Sequence, residues 1–168
     1  MARRKAIKVT GLDRVVRGLN ESLKKIENKT VAGLLEAAIL VRGESQRITP
    51  VDTGNLRASA YIVYGGGDKT PKARAASSFK VKKKKAGGQA VVDRLTSKHK
   101  QIVEERKGGT GWAEPFAEVG YTAYYAVDVH EAPAGRTFKV GQSKFLEQAL
   151  RNNSRNIFKI IQRRASII

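Results

Sequence analysis

The N-terminal part of the chain carries apolar side chains at helical spacing. Apolar residues recur at intervals of four and three positions, at Leu12, Val16, Leu19, Leu23 and Ile26. This is the spacing of one face of an amphipathic helix. A second helical pattern runs from Thr30 to about Arg47, and Pro50 ends it because the residue before a proline avoids helical backbone angles. The weak break at residues 28–30 leaves open whether one helix or two are formed.

Beyond Pro50, strand patterns are followed by shorter helical patterns. Residues 60–64 (Ala-Tyr-Ile-Val-Tyr) are typical of a strand, and we expect residues 65–67, all glycine, to end it as a flexible hinge. Residues 112–120 predict a further strand, in which Pro115 favours an edge position or a bulge. Residues 121–131 predict a short helix, and residues 143–168 predict the last helix.

These patterns predict an α+β fold. We expect the N-terminal and C-terminal helices to pack on a small, mainly antiparallel sheet, within a single domain of residues 1–168. Its core comprises residues 9–67 and 111–168. The helix residues expected to be buried are Leu19, Leu23, Leu35, Ile39, Phe145, Leu146 and Leu150.

The charge is concentrated between the two parts of the core. The chain has 33 Lys and Arg against 15 Asp and Glu, a net charge of +18. Residues 68–110 hold thirteen of these basic residues and four acidic ones, which is a net charge of +9. Such a segment, poor in large apolar residues, predicts a long basic loop, arm or hairpin inserted between strands. Within it, residues 90–105 fit a short amphipathic helix.

The basic arm has two interpretations. A lysine run is most often a solvated loop, but lysines also neutralise phosphates. We favour contact with another subunit, and contact with DNA stays open. The lysine run has no aromatic residues between its lysines, so stacking on nucleic-acid bases is not predicted. The residues expected at the contact are Lys82, Lys83, Lys84, Lys85, Arg94, Lys98 and Lys100.

Few features predict catalysis. The chain has no cysteine, which excludes disulfides and thiolate chemistry. Asp52-Thr53-Gly54 matches the aspartic-protease signature, but those enzymes pair two carboxylates, so we interpret the motif as a turn with Asp52 bonding to backbone and Gly54 at positive φ. Asp128, His130 and Glu131 lack metal-ligand spacing. We therefore predict no catalytic, cofactor-binding or metal-binding residues and no cofactor, and the short apolar runs exclude a transmembrane helix.

Three blocks, in this order, carry a resemblance to a known family. They are Thr49-Pro50-Val51-Asp52-Thr53-Gly54-Asn55-Leu56-Arg57-Ala58-Ser59, then residues 123–131 (Ala-Tyr-Tyr-Ala-Val-Asp-Val-His-Glu), then residues 140–150 (Val-Gly-Gln-Ser-Lys-Phe-Leu-Glu-Gln-Ala-Leu). The chain resembles the neck or tail-completion (minor structural, head–tail joining) proteins of long-tailed bacteriophages. The resemblance covers residues 10–64 and 111–155, and residues 68–110 are longer and more basic than the family's usual strand connection.

The resemblance implies a structural virion protein, not an enzyme, made in the host cytoplasm. It implies a homo-oligomeric ring at the head–tail junction that joins connector to tail, with six-fold symmetry favoured and twelve-fold as the alternative. The implied partners are other neck and tail proteins, with non-specific contact to channel DNA left open and no membrane. A free, non-sequence-specific nucleic-acid-binding protein is the alternative that the charge supports. The residues to which the resemblance gives a structural role are Pro50, Asp52, Gly54, Leu56, Arg57, Tyr125, His130, Glu131, Phe145 and Leu146.

Overall fold

The computed structural model describes residues 12–66, 69–75, 78–80, 88–109, 114–133 and 136–166. Within these ranges the chain forms helices and strands in the order α1 (Leu12–Ile48), α2 (Asn55–Ala58), β1 (Ala60–Gly66), β2 (Lys69–Ala75), α3 (Gly88–Lys107), β3 (Phe116–Tyr121), α4 (Ala126–His130) and α5 (Phe145–Ala165).

The N-terminal pattern forms one helix, α1, which is continuous over 37 residues. At the weak break, the Thr30 hydroxyl donates to the carbonyl of Ile26 at 3.0 Å, so Thr30 bonds back along the helix instead of starting a new one. The helix ends at Ile48, two residues before Pro50, as predicted. The open question of one helix or two is therefore resolved as one.

The three strands form an antiparallel sheet in the order β2-β1-β3. The central strand pairs Ile62 with Arg74 on one side and with Val119 on the other. Helices α1 and α5 lie on one face of the sheet, and α3 lies on the opposite face. The α+β fold is thus confirmed, and β3 begins directly after Pro115 at an edge of the sheet, as that proline predicted.

Helix α5 packs along α1 in the opposite direction. Its C-terminal end lies beside Gly33, where Ile161 and Arg164 come close. Its first residue, Phe145, belongs to the apolar cluster that also includes Ile48 at the end of α1. The part of α1 that precedes Lys29 therefore extends past α5, because the Lys29 Nζ donates to the carbonyl of Ser166, the residue that follows α5.

Most of the described part of segment 68–110 belongs to the fold. Residues 69–75 form the edge strand β2, and α3, which contains the predicted helix 90–105, packs on the sheet through His99 and Val103. Val103 contacts a cluster with Tyr61 and Val63 of β1. The prediction of a projecting arm is therefore wrong for these two pieces, because the sheet supplies the apolar surface that the segment itself lacks.

The glycines after Tyr64 are also part of the sheet. Gly65 and Gly66 lie in β1 instead of forming a hinge, and Gly67 lies outside the described residues. A β-carbon at Gly65 would lie 3.2 Å from the ring of Phe116 and 3.2 Å from the Cα of Pro71. The small residue therefore lets both edge strands approach the central one.

The predicted core is only partly correct. Phe145 is buried, and Leu35 and Leu146 are half-buried. Four other members are exposed, with 59% of Leu19, 56% of Leu23, 37% of Ile39 and 53% of Leu150 accessible to solvent. Leu19 and Leu23 lie in the part of α1 that extends past α5. Ile39 precedes the buried Val41 by two positions, so its side chain lies about 200° away from that of Val41 around the helix. Leu150 borders a cleft between α1, α5 and β3.

Candidate functional site

The three blocks that carry the family resemblance meet in the structure. The amide of Val51 donates to the carbonyl of Val140 at 3.3 Å, and the amide of Gln142 donates to Ile48 O at 2.9 Å. The amide of Lys144 donates to His130 O at 2.8 Å. Backbone hydrogen bonds thus tie the first block to the third, and the second block to the third.

A shared apolar cluster lies beneath these bonds. Its buried members are Leu56, Ala126 and Phe145, one from each block. The Phe145 ring meets Tyr121 edge-on with 5.1 Å between ring centroids, and it meets His130 at 4.8 Å. Leu146 and Tyr125 pack around the cluster. Half of the ten residues assigned a structural role therefore belong to this cluster or contact it.

The turn of the first block has the predicted geometry at Gly54. This residue has φ 84°, in the left-handed region that favours glycine. Pro50 is buried and Asp52 is exposed, and the Oγ1 of Thr53 accepts a hydrogen bond from the amide of Asn55 at 3.4 Å. The turn interpretation is confirmed for Gly54, and the expected backbone bonds of Asp52 stay a prediction.

Arg57 holds the end of α1. Its guanidinium donates to Thr49 O at 3.1 and 3.3 Å and to Arg47 O at 3.0 Å. The last carbonyls of a helix have no partners within the helix and carry partial negative charge. Arg57 thus satisfies carbonyls at the end of α1, a role that sequence spacing alone does not reveal.

His130, Glu131 and Lys144 form a surface cluster that joins α4 to the start of α5. His130 Nδ1 lies 2.6 Å from Glu131 Oε1, and Lys144 Nζ contacts Oε2 of the same carboxylate. The hydrogen bond from Lys144, followed by that from His130, lowers the pKa of Glu131 below its ordinary 4.5. Among the described residues, no group of three or more His, Asp or Glu side chains is placed to hold a metal ion.

A cavity of ≈370 Å³ lies between the turn and residues 136–140. Asp52 is the one carboxylate among the described residues that line it, and Arg136 and Lys139 supply positive charge. A second cavity of ≈480 Å³, which also borders Gly54, has Arg47, Arg57 and Lys80 among its lining residues. Neither cavity brings a second carboxylate to Asp52, which paired-carboxylate chemistry requires.

The predicted contact residues fall into two groups. Arg94, Lys98 and Lys100 are exposed on α3, and Lys98 lines a cavity of ≈210 Å³ together with Tyr125. Lys82, Lys83, Lys84 and Lys85 lie outside the described residues. The run follows Lys80, whose amide and carbonyl both bond to the side chain of Asn55 at 2.7 Å. The first block therefore anchors the chain on the N-terminal side of the lysine run.

Sequence reasoning missed His99, which is 2% exposed at the contact of α3 with the sheet. Its Nδ1 lies 2.6 Å from Thr122 Oγ1, and this hydroxyl donates to Ser59 O at 3.4 Å. Burial lowers the pKa of His99. The one signal in the sequence was its position four residues before Val103 on the helix.

Two apolar surfaces are open on the described part of the molecule. The first, which we name the stripe, consists of Val16, Leu19 and Leu23, each 46–59% exposed. The second, which we name the groove, is a cleft of ≈270 Å³ between α1, α5 and β3, in which the α1 residues Ala37, Ala38 and Val41 are only 4–6% exposed. Contiguous exposed apolar surface of this kind marks interaction sites.

No protein-family model, curated protein or solved structure matches the chain. Among the residues that the structure describes, no helix combines the length and the apolar character needed to cross a membrane. The function is therefore inferred from the residues and their arrangement.

Proposed function

We propose that the protein is a structural component of a long-tailed bacteriophage particle that forms a homo-oligomeric ring at the head–tail junction. One observation carries the proposal: the three sequence blocks that resemble neck and tail-completion proteins are joined by backbone bonds and share the cluster of Leu56, Ala126 and Phe145. This packing supports the proposal, because three blocks that belong to one structural unit are expected to contact one another.

The polar residues of these blocks are engaged in holding the unit together. Arg57 bonds to the end of α1, and Glu131 bonds to His130 and Lys144. Such groups are already satisfied by neighbours within the chain, as in a scaffold. Asp52 is the one carboxylate of the Asp52-Thr53-Gly54 motif, and a single carboxylate favours a structural role over protease chemistry.

The exposed apolar residues favour assembly. Leu19 and Leu23 expose more than half of their surface, although a net charge of +18 would by itself keep a monomer soluble. A protein that binds copies of itself or neighbouring virion proteins needs such surfaces. Ring formation, attachment to other neck and tail proteins and location in the virion are all parts of this proposal.

The alternative is a free protein that binds nucleic acid without sequence preference. It is favoured by the exposure of Arg94, Lys98 and Lys100 on one helix. Basic residues of this kind bind phosphates and release counterions, so affinity falls steeply with salt. The two candidates therefore predict different assembly states and different salt dependences.

Light scattering and electron microscopy of the purified full chain test the proposal. We expect a mass that is a multiple of 18.4 kDa and closed rings in micrographs, and antibody labelling of phage particles should mark the head–tail junction. A monomer whose DNA affinity falls steeply with salt would favour the alternative and overturn the proposal. Proteolysis by the wild type that disappears in Asp52→Asn would overturn the non-enzymatic part.

A further inference from the structure

A small cavity lies between α3 and the segment that follows β3. Three aromatic residues, Phe79, Tyr124 and Tyr125, line its volume of ≈210 Å³, and no carboxylate is among the described residues that line it. Sites that take whole drug-sized ligands usually have about 300–1,000 Å³. The cavity therefore suits one ring system and not a larger molecule.

The rings around this cavity favour a flat ligand. Tyr124 is 83% exposed, and its ring centroid lies 5.1 Å from that of the half-buried Tyr125, with 86° between the ring planes. The ring of Phe79 meets the imidazole of His99 in a similar way, with 5.6 Å between centroids and 71° between planes. An aromatic ring as exposed as Tyr124 offers a face on which a flat aromatic group stacks.

His99 adds a hydrogen-bonding atom to the wall of the cavity. Its Nε2 is buried and has no hydrogen-bond partner among the described residues. Buried polar atoms are nearly always paired, and an imidazole nitrogen either donates or accepts a hydrogen bond. The edge of a nucleobase carries both donors and acceptors, so it offers a partner to Nε2 in either case.

Positive charge lies beside the rings. Lys98 lines the cavity, and Arg94 is exposed one helical turn earlier on α3, only about 40° away around the helix. The lysine run itself has no aromatic residues between its lysines, but folding brings Tyr124 and Tyr125 to the same cavity as Lys98. An aromatic side chain of another protein would fill the rings alone, whereas the basic residues and the net charge of +18 favour a ligand that carries phosphate.

We propose that this cavity binds one unpaired nucleotide, with the base against the aromatic rings and Nε2 of His99 and the adjoining phosphate on Lys98 and Arg94. The bases of a duplex are paired and stacked within it, so the site takes a single strand or a free nucleotide. Stacking tolerates every base, so we expect no sequence preference. The inference does not depend on the ring, because both candidate functions leave contact with nucleic acid open.

Fluorescence anisotropy of the full chain with a short labelled oligothymidylate tests the site. An abasic strand of equal length keeps the phosphates and lacks the bases, so we expect it to bind about tenfold more weakly, the effect of losing one stacked base. Equal affinity for the two strands would show that phosphates alone are recognised and would overturn the inference. Thymidine monophosphate that displaces the strand at equal concentration would assign the cavity to a free nucleotide, whereas weak displacement would assign it to a strand.

Two exposed positions allow variants that leave the fold intact. Tyr124→Ala should weaken binding of oligothymidylate about tenfold and leave the affinity for the abasic strand and for a duplex unchanged. Phe158→Ala is the matched control, since this ring is 74% exposed on α5, at the opposite face of the sheet, and it should keep the affinity of the wild type. Unchanged binding by Tyr124→Ala would contradict stacking in this cavity.

The salt dependence tests the phosphate contact. Lys98→Gln should reduce the slope of log affinity against log salt concentration by about 0.7, the value for one phosphate of a single strand. Lys100→Gln is the matched control, because Lys100 is exposed on the same helix about 200° around it from Lys98, and it should keep the slope. Equal slopes for the wild type and Lys98→Gln would overturn the assigned phosphate contact.

Nitrogen NMR observes His99 directly, because the chain has two histidines. Oligothymidylate should shift the Nε2 resonance of His99 and leave that of His130, which lies in the cluster with Glu131 and Lys144. A shift of His99 with p-cresol, the analogue of a tyrosine side chain, but not with the oligonucleotide would assign the cavity to a partner protein and overturn the inference. No shift with either ligand would also overturn it, and the ring would still be decided by light scattering.

Discussion

The two halves of α1 have the same pattern and opposite surroundings. From Thr30 onward the helix is covered by α5 and the sheet, and its buried residues include Ala37, Ala38 and Val41. Residues 14–25 are exposed at every position, although their apolar residues lie on the same side of the helix. The comparison teaches that periodicity predicts which side of a helix is apolar, while burial depends on where the covering element ends.

A buried charge should give the largest difference between the halves. Ala38→Asp places a carboxylate without a partner where the side chain is 6% exposed, and we expect the free energy of unfolding to fall by about 3–5 kcal/mol. Leu19→Asp is at an exposed position, so its effect on the single chain should stay within about 0.5 kcal/mol. Urea unfolding below the concentration of association measures both. Equal losses would mean that the first half is covered within the chain.

Two glycines give a smaller and opposite pair of effects. A β-carbon at Gly33 would lie 3.1 Å from Arg164 Cβ and 3.2 Å from Ile161 Cα, whereas one at Gly18 would contact no described atom beyond its own stretch of α1 within 4 Å. Gly33→Leu should therefore push α5 away and cost about 1–3 kcal/mol. Gly18→Ala should stabilise by up to about 1 kcal/mol, because alanine favours the helix. Thermal unfolding should separate the two, and destabilisation by Gly18→Ala would contradict a bare first half.

The sequence predicts well those features that depend on neighbours along the chain. The end of α1 before Pro50, strand β1, the position of β3 after Pro115 and the left-handed conformation of Gly54 all follow from local steric rules. Local rules do not predict how much of α1 is buried, because this depends on where α5 ends after the chain has folded back. For this reason Leu19 and Leu23 have the pattern of a core but lie outside it.

Segment 69–107 shows the opposite limit. Strand β2 contains Pro71, Lys72 and Arg74, which do not resemble a strand, but pairing with β1 decides its conformation. Helix α3 has only His99 and Val103 buried, too few for a strong pattern. In the candidate site, the sequence indicated the three blocks but not their contacts, since the bonds of Arg57 to the carbonyls of α1 depend on tertiary geometry.

The pH dependence of stability tests whether α3 buries His99 against the sheet, on the face opposite to α1 and α5. Burial lowers the pKa of His99, so the unfolded chain binds its proton more tightly than the folded one. The free energy of unfolding should therefore fall as the pH drops below about 6.5, the pKa of an unfolded histidine. His99→Gln should remove this fall and His130→Gln, which leaves His99 in place, should keep it.

The pH range of the measurement separates the effect of His99 from the titration of the carboxylates. The pKa values of Glu36, Glu44 and Glu131 are lowered from 4.5, so these groups lose their stabilising charge at lower pH. Unfolding measured from about pH 7.5 to about pH 5 thus isolates histidine. A wild type with flat stability over this range would contradict the burial of a neutral imidazole beneath α3.

We expect the smallest effect from the ion pairs that join α1 to the last turn of α5. Glu36 accepts hydrogen bonds from Arg163 at 2.5 Å and Arg164 at 2.7 Å, and the bond from Arg164 is the main cause of its lowered pKa. These groups are exposed, and exposed pairs contribute little and are screened by salt. Glu36→Gln should give a small loss of stability at low ionic strength and none at about 1 M salt, where the screening length is about 3 Å. Glu44→Gln, which breaks a pair with Arg47 within α1 itself, is the control for charge. A large loss in the free energy of unfolding that persisted in high salt would mean that the ion pairs, and not the apolar contacts, determine how α5 packs on α1.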